Sequence, residues 1–254
     1  MCGNDDKVAM FRYSVEPAEG NAQGELPLTI LVKRILETAT FHAEKWSVGY
    51  SSLIKSRLTW VLARLAVEMR RYPKINEDYV IETWVESYNK HFSARNFRFS
   101  SPRGEIYGYA RTIWSVIDID TRISVDLSTL DCFSDRVSGV ECPIDRQSKL
   151  KPVEGEPLVS YPVRYSDIDL NRHVNSVKYI EHMLDTFSLQ QYDENMIGRF
   201  EINYMSEIRY GMWFVFYRRE FDNSCFELEL KNRNHEGICR GKVWFVPREK
   251  KERN

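Results

Sequence analysis

The feature that most restricts how this chain can fold is an internal repeat. "FRYSVEP" from Phe11 is echoed by "VRYSDID" from Val163. "RLAVEMRRYPKINEDYVIETWV" from Arg64 is answered by "RFEINYMSEIRYGMWFVFYRRE" from Arg199. "GEIYGYARTIWSV" from Gly104 is answered by "EGICRGKVWFV" from Glu236, with Trp244 in the place of Trp114. After the first echo each half carries apolar residues at helical spacing. In the first half they are Leu28, Leu31, Val32, Ile35, Leu36, Ala39 and Ala43, one buried stripe, and Pro27 suits a first helical turn. In the second they are Val177, Ile180, Met183, Leu184 and Phe187. Each half thus reads as a strand, a long helix and several long antiparallel strands. "LTWVLARLAVEM" reads as a strand with an inner set of Val61, Ala63, Leu65, Val67 and Met69.

A sheet with one apolar face must bury it, and a central helix meets that need. One helix wrapped by an antiparallel sheet, made twice, is an α+β tandem (double) hotdog. Its two sheets are expected to run side by side, with a helix inside each half. The link "VSGVECPIDRQSKLKPVEGEP" carries Pro143, Pro152 and Pro157, which places the boundary near Lys149: residues 1–149 form one hotdog and 150–254 the other.

Composition removes several function classes. At 43% hydrophobic and 13% aromatic, the 254 residues can bury a sizeable core. Thirty-six basic residues against 37 acidic ones leave a net charge of −1, so nothing electrostatic points to nucleic acid or an anionic membrane as the main partner. The five cysteines, Cys2, Cys132, Cys142, Cys225 and Cys239, have no CxxC spacing and no clustering with the five histidines. They read as free thiols of a cytoplasmic protein, and neither a metal nor a cofactor is expected. No apolar run approaches the roughly 20 residues of a membrane helix. The opening "MCGNDDKVAM" lacks the pattern of a signal peptide, and "PREKKERN" reads as a solvated tail.

The chemistry concentrates in "YSDIDLNRHVNSVKYIEHMLD", Tyr165 to Asp185. Asp169, Asn171, His173 and Asn175 alternate just ahead of the second helix. In an extended strand, residues two apart sit roughly 6.6 Å apart, so these groups can meet one carbonyl only if the segment curls. Asn175 serves equally as a helix N-cap or a catalytic group, and Asp167 reads as a turn residue. His42, His91, His182 and His235 read as surface or core residues.

"DIDLNRHVNSVKYIEHMLD" closely resembles the active-site segment of the acyl-acyl carrier protein (ACP) thioesterases, best known from plants, in which an Asp-x-Asn-x-His-Val-Asn-x-Val-Lys-Tyr-Ile string occupies this place. "LTWVLARLAVEMRRYP" and "VIETWV" look like that family's first hotdog. "EINYMSEIRYG" looks like the second-hotdog strand that carries its glutamate. The resemblance implies a catalytic set of Asp169, Asn171, His173 and Glu207. It implies release of free fatty acid from an acidic, acyl-loaded ACP, and an acyl chain held by the first half, where "FRYSVEPAEGNAQGELP" offers Glu16 and Asn21 but no histidine. The plant pattern has a cysteine after the glutamate; here that residue is Ile208, so water rather than a thiol is the expected nucleophile.

Thioester hydrolysis needs a polarised carbonyl and an activated water. The N-H groups at the start of the second helix can face an oxyanion. Asn171 can hold the carbonyl or the water, His173 can donate or orient, and Asp169 or Glu207 can act as general base. An acyl-coenzyme A thioesterase shares this chemistry, a hotdog dehydratase fits the motif less well, and a non-catalytic acyl-thioester sensor would have lost the acid-base set. An ACP partner asks for a basic patch, for which Arg70, Arg71 and Lys74 are candidates. The duplication allows a monomer, and a homodimer stays open.

Overall fold

The computed structural model describes residues 7–130, 134–222 and 224–249; Cys2 and Cys132 lie outside them. The chain divides between Gln147 and Ser148 into two compact units.

The first unit comprises β1 (Val8–Ser14), α1 (Leu28–Lys45), α2 (Tyr50–Leu53), β2 (Leu58–Met69), β3 (Asp78–Tyr88), β4 (Ser93–Ser100) and β5 (Ile106–Asp118). Its strands run in the order β1-β3-β4-β5-β2, and the neighbouring pairs are antiparallel. The 18-residue α1 turns Leu28, Leu31, Val32, Ile35, Ala39 and Ala43 into the core, with Thr38 and His42 on the same stripe. Truncating such a buried leucine or isoleucine to alanine costs about 2–5 kcal/mol. Leu36 is only half-buried.

β2 departs from simple alternation. A bulge between Leu62 and Arg64 shifts its register against β5. The buried residues are Leu62, then Leu65, Ala66, Val67 and Met69, while Val61 and Ala63 are half-buried. One extra residue reverses which parity faces inward, so the expected inner set holds only beyond the bulge.

The second unit repeats the topology with β6 (Val159–Pro162), α3 (Ser176–Leu184), α4 (Leu189–Glu194), β7 (Asn195–Tyr204), β8 (Trp213–Asp222), β9 (Cys225–Lys231) and β10 (Gly237–Pro247). The order β6-β8-β9-β10-β7 matches the first unit strand for strand. The helix is not long, however: α3 has nine residues and ends at Leu184. Phe187, expected on that helix, lies past its end and packs edge-on against Phe226 and Phe245 at 5.0 and 5.1 Å. No helix among the described residues is long and apolar enough to cross a membrane.

The proline-rich link is fastened to each unit through backbone amides and buried acceptors. In the first unit the Cys142 amide reaches Glu86, which also holds the buried Arg111 through both oxygens at 3.0 and 2.9 Å. In the second, the amides of Ser148, Leu150 and Val153 donate to Glu201, Asn203 and Glu229 at 2.9, 3.2 and 2.7 Å. All four acceptors are buried. Burying a carboxylate is expensive unless it is paired and hydrogen-bonded, so these amides are part of each unit's fold.

Candidate active site

The polar segment does curl. Between β6 and α3 a single 3-10 turn, Tyr165–Asp167, leads into a loop closed by a bridge between Ile168 and Val174. The Asp169 amide donates to the His173 carbonyl at 2.9 Å, and the Arg172 amide to the Asp169 carbonyl at 3.1 Å. The Asp169 carboxylate accepts the Asn171 amide at 2.8 Å. The loop is pinned from the irregular segment between β7 and β8, which also carries Glu207 just past the end of β7: the Val174 amide donates to the Ile208 carbonyl at 2.9 Å, and His173 bridges to Arg209.

That pairing brings His173 and Glu207 together. His173 Nε2 lies 3.4 Å from Glu207 Oε2, with the His173 side chain 16% and the Glu207 side chain 41% exposed. Arg209 Nε donates to the same His173 nitrogen at 3.2 Å. One nitrogen cannot accept from Arg209 and donate to Glu207 at once. A proton on Nε2 therefore favours the carboxylate contact and a lone pair there favours the arginine contact. Asn171 is exposed at the loop tip beside Leu170 and Arg172.

Asn175 is the N-cap of α3: its side chain accepts the Val177 amide at 2.9 Å. The amides of Asn171, Arg172, Val174, Asn175, Val177 and Lys178 are all engaged, that of Val174 by Ile208 and the others within the turn, loop and cap. The start of α3 therefore offers an oxyanion its dipole and few unspent N-H groups, and side-chain donors must supply more of the polarisation than the motif alone implies.

Three contributors had no functional sign in the sequence. Asp167 is buried, at 1% exposure. One of its carboxylate oxygens accepts from Arg164 N at 2.7 Å and the other meets His182 Nε2 at 2.8 Å, while its carbonyl accepts the Asn175 amide. His182, read as a plain surface or core residue, thus ties α3 to the turn before the loop. Tyr179, on the buried side of α3, accepts the Ile208 amide at 3.3 Å. Burial pushes its phenol well up, and the carboxylates of Glu207 and Asp169 add to the rise, so the group stays protonated. The signal that could have found these residues is helical periodicity: Tyr179 and His182 are i, i+3 neighbours on one face.

The first unit builds the same loop without the chemistry. Its 3-10 turn, Pro17–Glu19, precedes α1 by the interval that separates Tyr165–Asp167 from α3. Asn21 stands where Asp169 does: its amide donates to the Glu25 carbonyl at 2.9 Å and its side chain accepts the Gln23 amide at 3.1 Å. Glu19 and Arg34 pair at 2.6 Å where Asp167 and His182 do. Glu25 replaces His173 and bridges to Lys74 as His173 does to Arg209. Gly24 holds the left-handed conformation, φ 74°, that Arg172 adopts at φ 62°. The turn-forming role of Asp169 is therefore architectural in both halves; His173 and Glu207 are what distinguish the second.

Among the described residues no thiol is activated as a nucleophile. Ile208 is fully buried. Burial pushes the Cys225 thiol up to about 11, and raises those of Cys142 and Cys239 as well. A nucleophilic cysteine needs the opposite shift.

A helix packed in an antiparallel sheet, built twice, with one loop carrying a histidine–carboxylate pair, defines a tandem hotdog protein. The acyl-ACP thioesterase N-terminal domain matches residues 6–129 and the C-terminal domain residues 150–243. An acyl-ACP thioesterase from Bacteroides thetaiotaomicron superposes with a TM-score of 0.90 at 34% identity, covering 96% of this chain and 100% of that one. The chain belongs to the acyl-ACP thioesterase family. The 12:0-ACP thioesterase of Umbellularia californica shares the fold, with a TM-score of 0.80 at 18% identity over 95% of this chain and 94% of its own. The chloroplastic oleoyl-acyl carrier protein thioesterase 1 of Arabidopsis thaliana is 26% identical over 219 residues, 77% of this chain and 59% of that protein. The chain thus spans less than two thirds of that curated relative's length.

Proposed function

We propose that the protein hydrolyses the thioester of fatty acyl-ACP and releases the free fatty acid. The observation that carries this is the placement of His173 Nε2 3.4 Å from Glu207 Oε2, on a loop whose twin in the first unit lacks both groups. Glu207 is open enough to hold a water and serves as the general base. His173 orients that carboxylate and takes up or returns the proton. Asn171 at the loop tip, with the dipole of α3, steadies the oxyanion. Asp169 holds the loop in shape and adds negative charge beside His173. Water attacks directly and the carrier thiol leaves protonated, so no acyl-enzyme on cysteine forms. The exposed Arg164, Arg172 and Arg209 around this loop suit an acidic carrier better than Arg71 does, since Arg71 is held by Glu77 and Glu105 at 2.7 and 3.2 Å. A cytoplasmic setting fits the three described thiols, which are free.

The test is fatty acid release by the purified protein from ACP and coenzyme A thioesters of short, medium and long chains. The expected result is turnover that is faster on ACP. Coenzyme A thioesters hydrolysed as well as their ACP counterparts would favour the acyl-coenzyme A reading. Absence of turnover on every substrate would leave the sensor.

A further inference from the structure

We propose that Arg209 is a further catalytic residue: its guanidinium moves from His173 Nε2 to the thioester oxygen as negative charge develops there, and so frees that nitrogen for Glu207. This rests on the hydrolysis proposed above.

Arg209 is exposed on the segment between β7 and β8, two residues past Glu207, and its Nε donates to His173 Nε2 at 3.2 Å. Among the described residues no carboxylate holds it, whereas Arg199 on β7 and Arg240 on β10 are gripped by Glu201 and Glu229 at 2.7 and 2.8 Å. The backbone bridge that sets Arg209 against His173 has a twin in the first unit, where Lys74 is set against Glu25. There a basic residue opposes an acidic one; here a cation opposes a ring that carries no negative charge. The amides around the start of α3 are already engaged, so a developing oxyanion must find its donors on side chains.

A guanidinium binds an oxyanion more strongly than a neutral ring nitrogen, because both partners are then charged. Glu207 Oε2 and Arg209 Nε border the same nitrogen, at 3.4 and 3.2 Å. Water held by Glu207 attacks a carbonyl carbon about 3–3.5 Å away, which brings the carbonyl oxygen within the swing of Arg209. Only the side chain has to move: the Arg209 carbonyl stays in a turn closed by the Met212 amide at 3.2 Å. With the arginine gone, His173 carries its proton on Nε2 and presents it to one oxygen of Glu207, leaving the other for the water.

The experiment measures fatty acid release by the full chain and by Arg209→Met and Arg209→Gln. Removing one oxyanion donor costs about 10²–10³ in kcat, so each variant should lose about 10²-fold in kcat with little change in KM. A second readout needs no turnover: a ketone analogue in which a methylene replaces the thioester sulfur, carbon-13 labelled at the carbonyl. Its carbonyl resonance should move downfield on binding the native chain and clearly less on binding either variant. Arg209 is exposed and its backbone bonds are kept, so the variants should match the native urea midpoint; should one not fold, the other still decides. An unchanged kcat, a rise in KM alone, no ketone shift on the native chain, or a shift that survives in the variants overturns the proposal. A native chain that releases no fatty acid yet shows the Arg209-dependent shift refutes the thioesterase reading and leaves this contact standing.

Discussion

Replacing Asp169 by alanine and by asparagine separates its two jobs. Its carboxylate accepts the Asn171 amide at 2.8 Å and so shapes the loop. A hydrogen bond to a charged group contributes about 1.5–3 kcal/mol, and the partial exposure of Asp169 places this one toward the low end. Asp169→Ala should therefore lower stability by roughly 1–2 kcal/mol. Asparagine keeps an acceptor oxygen at the same place, as Asn21 does in the first unit, where it accepts the amides of Gln23 and Glu25 at 3.1 Å each. Asp169→Asn should therefore lose less than about 1 kcal/mol, the difference between a charged and a neutral acceptor. Asn21→Ala supplies a matched control and should fall near Asp169→Ala. Urea midpoints at an unchanged m-value measure all three. Because the asparagine variant keeps the loop, its kcat then reports the carboxylate charge alone. If Asp169→Asn destabilised as much as Asp169→Ala, or if neither alanine variant lost stability, the architectural reading of the loop would be wrong.

Glu207→Gln should lower kcat by about 10²-fold or more while leaving the urea midpoint in place, since it removes the base and keeps the shape; a variant of unchanged kcat would refute the assignment. Arg172→Gly should raise stability by about 1 kcal/mol by relieving a left-handed non-glycine residue, and should lower kcat/KM for ACP substrates more than for coenzyme A substrates; equal effects on both carriers would remove Arg172 from docking. Asp167→Ala should cost about 3–5 kcal/mol, because it leaves His182 and the Arg164 amide without their buried partner, and a urea midpoint like that of the exposed-site control Glu154→Ala would contradict this. Burial raises the Glu77 carboxyl, but hydrogen bonds from Arg71, the Lys74 amide and Tyr107 outweigh it and hold the group down at about 2 against an ordinary 4.5. A depressed folded-state pKa gives stability that is present above pH 4.5 and lost as pH falls toward 2, so Glu77→Gln should be less stable at neutral pH and flatter across that acid range; an unchanged acid slope would show that Glu77 is not the group responsible.

Periodicity and the repeat made the architecture legible. The apolar stripe of α1 and the succession of strand, helix and further strands along each half could both be read from the chain, because each rests on local spacing. The alignment of the two halves was less faithful. The echo of "FRYS" and "VRYS" sets Tyr13 against Tyr165, yet Tyr13 belongs to β1 and Tyr165 opens the 3-10 turn. Similar letters were carried by different parts of the motif, and only the backbone hydrogen bonds set Asn21 against Asp169. The bulge in β2 and the early end of α3 were hidden for a related reason: both depend on how neighbouring strands and rings pack, not on spacing within the segment. At the site, His173 stood out because polar groups surrounded it, whereas Tyr179 and Asp167 act from beneath and look like ordinary helix and turn residues.

The fastening of the link has a consequence for dissecting the protein. Its amides hold Glu86 on one side of the Gln147–Ser148 bond and Glu201, Asn203 and Glu229 on the other. Backbone amides hold the acceptors, and the side chains of Cys142 and Ile144 pack with Trp84 in the first unit while Val153 packs with Val215 and Tyr217 in the second. A gene split between Gln147 and Ser148 would give each fragment every amide that its own buried acceptors use. A split after Val153 would strand three of those acceptors in the second fragment, and that fragment should then be the one recovered from inclusion bodies.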